Sequence, residues 1–156
     1  MTNFDLSTAF VTAGITAIFG LLLFVLQQII DRYYFEPRQK LKEVIEEIAI
    51  ALIHYSNLYT NPTNYGTERW DSPMRISYSE ASIKTRELAS KLKVRSDNIP
   101  KFGALIKSVN TISQENINIA YSKLIALSNS YSNEGRSLEN ADLAEEIRNL
   151  LKISLK

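Results

Sequence analysis

Between Asp5 and Asp31 the chain has no charged side chain. Ser7 to Ile30 reads STAFVTAGITAIFGLLLFVLQQII, a run of 24 residues. As a helix at ~1.5 Å per residue this run is about 36 Å long. A bilayer core of ~30 Å takes about 20 residues. A chain of 156 residues rarely buries such a helix on every side. The run is therefore read as a transmembrane helix over 7–30 and not as a core helix. A cleaved signal fits poorly, because no Lys or Arg precedes the run and it exceeds the usual ~7–15 residues of a signal core.

The flanks orient the span. Residues 1–6 carry only Asp5, whereas Arg32, Arg38, Lys40 and Lys42 follow closely. The positive-inside rule places the short N-terminus outside and everything after the span in the cytoplasm, as in a single-pass protein of the inner membrane. Tyr33, Tyr34 and Phe35 form an aromatic anchor at the cytoplasmic headgroup level. The same four cations offer contact to anionic lipid at roughly 1 kcal/mol each, although setting topology is the plainer explanation for them.

The span has two faces. At ~100° per residue Ala9, Thr12, Ala13, Thr16, Ala17, Gly20 and Gln27 share one arc, and Val11, Ile15, Ile18, Leu22, Val25 and Ile29 the opposite one. Small residues let helix backbones approach, and hydroxyls and amides bond across the contact. Ala9, Ala13, Thr16, Ala17, Gly20 and Gln27 are thus the candidate seam for a homo-oligomer or for pairing with another membrane protein. A bare lipid anchor is the simpler alternative. A pore lined by Thr12, Thr16 and Gln27 would lack the charge ring that selects ions.

After a short linker at 31–36, Pro37 suits the first position of a new helix. Leu41, Val44, Ile45, Ile48, Leu52, Tyr55 and Tyr59 then recur at three- and four-residue steps, which predicts an amphipathic helix over 37–59. Asn61-Pro62 ends it, and a polar loop follows over 60–76. Ser77-x-x-Glu80 reads as a capping box for a helix over 78–93. Asn98 and Pro100 open another, with Phe102, Leu105, Ile106, Val109 and Ile112 on one stripe. Ile117, Ala120, Tyr121, Leu124 and Leu127 continue the pattern to about 131, and Leu143, Ile147, Leu150 and Leu151 mark a last helix over 139–152. No stretch alternates long enough to be a strand. The expected fold is all-α: one N-terminal transmembrane helix, then a cytoplasmic antiparallel bundle of four or five helices over 37–156.

The run LLLFVLQQIIDRYYFEPRQKLKEVIEEIAIALIHYSNLYTNP, with LIALSNSYS and EEIRNLLKI near the C-terminus, resembles a family of small uncharacterised bacterial single-pass membrane proteins with a cytoplasmic helical domain. The resemblance implies this topology and no activity, and it brings no functional residues.

Composition closes most catalytic routes. There is no Cys, which removes thiolate metal sites and a cysteine nucleophile. His54 is the single imidazole, and no ligand from another helix can be assigned to it, so a half-buried structural role is expected. Phosphate-binding, nucleophile-elbow and HExxH motifs are absent, as is the Arg-to-His spacing of helical ribonucleases. Neither cofactor nor metal is expected, and the chain is read as no enzyme. A net charge of +1 speaks against a general nucleic-acid binder. Locally, residues 84–107 hold seven cations against Glu87 and Asp97. Lys84, Lys91 and Arg95 share one side of their helix and are candidates, with Arg32, Arg38, Lys40 and Lys42, for an anionic lipid or partner contact; a solvated helix edge explains them as simply.

The expected function is a non-catalytic, membrane-anchored interaction module. A self-assembling effector or pore-forming subunit of a bacterial defence or toxin system is the alternative.

Overall fold

The computed structural model describes residues 6–64, 68–69, 71–99, 112–133 and 136–154, and among them every regular element is helical. Helix α1 spans Leu6–Ile30 and α2 spans Glu36–His54. The residues expected to form a linker do not part them. Asp31–Phe35 winds as a π-turn, closed by a bond from the Glu36 N–H to the Asp31 carbonyl, so the chain is helical without interruption from α1 into α2. The proline explains the wide turn. Inside a helix the Pro37 ring would collide with the Tyr33 carbonyl four residues back, and it has no N–H to offer. A widened turn just before it absorbs both defects without ending the helix. The Arg38 guanidinium lies over the Tyr34 ring, 3.7 Å from its centroid, and packs across the same turn.

Tyr55 leaves helical geometry for a single residue, and α3 follows as one turn over Ser56–Thr60. Helix α4 spans Pro73–Asp97. It begins five residues before the expected start at 78. The Ser72 hydroxyl accepts the Arg75 N–H at 3.1 Å, with Pro73 in the first turn. Ser77 sits inside the helix and donates its hydroxyl to the Pro73 carbonyl at 2.9 Å. Helix α5 spans Gln114–Ser130, capped by Ser113 on the Asn116 N–H. Helix α6 spans Ser137–Leu150. The helix expected after Pro100 lies outside the described residues, except that Ile112 packs half-buried on the core.

Helices α2, α4, α5 and α6 enclose one core. Leu41, Val44, Ile48 and Leu52 of α2 meet Leu88 and Leu92 of α4, Leu124 and Leu127 of α5, and Ile147 of α6. Ala81, Ala89, Ala120 and Ala144 are fully buried between them and let the backbones approach. Hydrogen bonds fix α4 and α5 as antiparallel: Ser82 donates to the Ser128 carbonyl, Arg86 to Asn129, and Lys93 to Asn118. Tyr131, at the end of α5, is buried beside Thr85, with 3.4 Å between the hydroxyls.

The last helix departs from its expected stripe. Leu143 is only half-buried, whereas Asn140 is fully buried. Asn140 donates its amide to the Tyr59 carbonyl at 2.9 Å, and Arg148 reaches the Tyr59 hydroxyl at 3.1 Å. These bonds tie α3 to α6.

None of the core reaches α1. Every described side chain from Ala9 to Ile30 is exposed, including Phe10, Ile18, Leu21 and Leu23. Within α1, α2 and the turn between them there is one stretch long and apolar enough to cross a membrane, and none of it is buried against the rest of the protein.

Candidate functional site

Two surfaces carry the residues singled out by sequence: the small-residue face of α1, and the junction beneath it. On α1, Ala9, Ala13, Thr16, Ala17, Gly20 and Gln27 are all exposed on an unbroken helix. A Cβ placed on Gly20 would meet nothing within 4 Å, and the same holds at Gly14. The close approach that glycine permits is therefore unused within the single chain. Thr16 donates its hydroxyl to the Thr12 carbonyl at 2.9 Å, so this hydroxyl is already satisfied inside its own helix.

The basic residues divide into three groups. Lys84 and Lys91 belong to a charge network that joins α4 to α2. Lys91 pairs with Glu47 at 3.2 Å and with Glu87 at 2.9 Å, and Lys84 reaches Glu87 at 3.4 Å. Hydrogen bonds from Lys91 and Lys84 hold the Glu87 carboxyl below its ordinary range, and those to Glu87 and Glu47 raise Lys91. These groups are exposed, and pairs of this kind position helices more than they stabilise them. Lys42 makes a solvent-facing pair with Glu46 at 3.6 Å, and Arg38 is stacked on Tyr34.

Arg32, Lys40 and Arg95 form the third group. They line one cleft of about 340 Å³ together with Tyr33, Glu36 and Asn98. The continuous helix supplies Arg32, Glu36 and Lys40 from two successive turns. Arg95 and Asn98 come from the far end of α4, which returns to this level beside α2. Lys40 pairs with Glu36, and this bond, reinforced by the nearby Arg32, holds the Glu36 carboxyl below its ordinary range. The cleft thus sets three cations against one carboxylate, directly below the last apolar turn of α1.

The structure separates Arg95 from Lys84 and Lys91, with which sequence grouped it, and joins it to Arg32 and Lys40. Helical spacing shows which residues share a side of one helix. It does not show which end of α4 returns to the end of α1. His54 is another departure: it is exposed at the end of α2, edge-on to Tyr55 with ring centroids 4.8 Å apart, and not half-buried. It lies on the outward side of α2, with the exposed Ile50 and Ile53 and away from the buried Ile48 and Leu52, so no neighbouring helix covers its ring. Among the described residues no group of three His, Asp or Glu side chains is placed to hold a metal ion. The buried Asn140 and the half-buried Arg148, which both bond Tyr59, were missed. The signal was the register of Asn140 with Ala144 and Ile147 at steps of four and three.

Compared with family models, curated proteins and solved structures, the chain matches none.

Proposed function

We propose that this chain is a non-catalytic interaction module anchored in the inner membrane by α1, with its N-terminus outside and its helical bundle in the cytoplasm. The observation that carries the reading is the exposure of α1: every described side chain from Ala9 to Ile30 is exposed, and none of them is buried on the bundle. Water is a poor solvent for such a surface, and a bilayer is the right one. Its small-residue face supports self-association in the membrane or pairing with another membrane helix. The Gln27 amide, near the cytoplasmic end, gains by bonding across that contact. The unbroken passage from α1 into α2 means that pairing of spans also sets the rotation of the bundles beneath. The resemblance to bacterial single-pass membrane proteins belongs to the same proposal.

The alternative, a self-assembling effector or pore-forming subunit, draws on the same face. It is the weaker reading. The face carries no charge, and the Thr16 hydroxyl is turned into its own backbone. Alkaline extraction of membranes expressing the full chain tests the anchor. Retention in the pellet is the expected result, and release into the supernatant would refute it.

A further inference from the structure

We propose that the cleft below α1 binds the phosphate of an anionic phospholipid whose acyl chain lies along the span. The inference rests on the reading that α1 crosses a bilayer, and it adds a specific ligand. Its first support is the charge of the cleft. Arg32, Lys40 and Arg95 oppose Glu36 alone, which leaves two positive charges for one phosphate. Guanidinium groups suit this task, because their forked donors match phosphate oxygens in pairs. Tyr33 and Asn98 add a hydroxyl and an amide to the lining.

The second support is independent of charge. A groove of about 270 Å³ runs along α1 between Phe24, Val25, Gln28 and Ile29 and ends at Arg32 and Tyr33. Those two residues also line the cleft. On the reading that α1 spans the bilayer, a shallow and mostly apolar groove at the depth of the acyl chains therefore meets, at Arg32 and Tyr33, a cationic cleft at the depth of the headgroups. A free phosphate ion would use only the cleft and leave the groove unused. A phospholipid matches both the groove and the cleft, which share Arg32 and Tyr33. Arg95 belongs to the bundle and Arg32 to the membrane helix, so the bound headgroup would also hold the bundle against the membrane.

The test uses the full chain in phosphatidylcholine vesicles carrying a trace of spin-labelled lipid, either phosphatidylglycerol or phosphatidylcholine. The fraction of label immobilised on the protein is read by electron paramagnetic resonance. Labelled phosphatidylglycerol should be immobilised preferentially. Arg95→Gln should reduce this preference about fivefold, the worth of one cation at a membrane surface. Arg95→Lys should keep much of it. Lys42→Gln removes the same charge outside the cleft and should reduce the preference by less than Arg95→Gln does. Equal losses in Arg95→Gln and Lys42→Gln, or no loss in either, would overturn the site. Inorganic phosphate, added at constant ionic strength, should not release the label; if it does, the cleft is a plain anion site and the lipid assignment fails. Arg95 is exposed and distant in sequence from the span, so its variants should keep the parental circular dichroism. Failure of the parent to stay with the vesicles after an alkaline wash would overturn the span and this site together. Loss of lipid preference by a retained protein would overturn the site alone.

Discussion

Replacing Gly20 by leucine isolates the proposed seam from the helix that carries it. In the single chain a Cβ at Gly20 meets no atom within 4 Å, and neither does one at Gly14. Both positions therefore accept leucine without a clash, and each substitution removes a glycine that costs a helix up to about 1 kcal/mol. The two differ only in direction. At ~100° per residue Gly20 lies near the middle of the small-residue arc, whereas Gly14 lies about 130° from its centre. If the arc is the contact, a leucine at Gly20 stands where another helix must approach. Overfilling a close contact costs about 1–3 kcal/mol, or roughly 5- to 150-fold in the association constant. Gly14→Leu makes the same chemical change and should leave association intact, as should Ile18→Leu on the opposite face. Gln27→Leu should weaken association by no more than about 1–2 kcal/mol. The chain has no cysteine, so one introduced at the exposed Ser154 can carry a donor or acceptor dye. Energy transfer in vesicles of increasing lipid dilution then gives the association constant. If Gly20→Leu associates as well as the parent, or Gly14→Leu weakens it equally, the seam is misplaced.

Further outcomes follow from the helical bundle and the flanks. Ser72→Ala should destabilise the bundle by about 1 kcal/mol through loss of the α4 cap, and Ser77→Ala by much less, read by chemical denaturation in detergent; the reverse order would restore the capping box at Ser77. Burial pushes the Tyr131 phenol up to about 12, whereas an unfolded tyrosine ionises near 10. From Tyr131 alone, stability should fall by up to about 1.4 kcal/mol per unit as pH rises from 10 to 12; the loss should be smaller in Tyr131→Phe, where only the burial-raised Tyr55 and Tyr78 remain, and an equal loss in parent and variant would contradict the burial. A reporter fused after Lys156 should be active in the cytoplasm, and periplasmic activity would reverse the assigned orientation.

Much of the helical pattern was legible because it is local. Leu41, Val44, Ile48 and Leu52 sit at helical steps, as do Ile117, Ala120, Leu124 and Leu127, and all are buried in the core. Boundaries were less legible where two local signals competed. Ser77 and Glu80 match a capping box, but Ser72 followed by Pro73 provides a cap and a prefixed first turn earlier. Pro37 was a genuine discontinuity signal, yet the sequence alone does not distinguish a linker from a π-turn. That choice depends on whether the helices on both sides are held in line. Asn140 was passed over because a polar residue on an apolar stripe is found only once its partner, the Tyr59 carbonyl, is in place. The candidate cleft was the least legible feature. Each of its cations was visible, but the meeting of Arg32 with Arg95 follows from α4 running back beside α2, and no local pattern contains that information.

The central claim is that α1 associates through its small-residue face within a bilayer. The most direct test is the mass of the full chain in lipid nanodiscs, measured over a range of protein concentrations. A particle whose protein component is two or more copies of the 17.7 kDa chain is predicted, and Gly20→Leu should shift it toward one copy. A single copy at every concentration would contradict the claim and reduce α1 to an anchor.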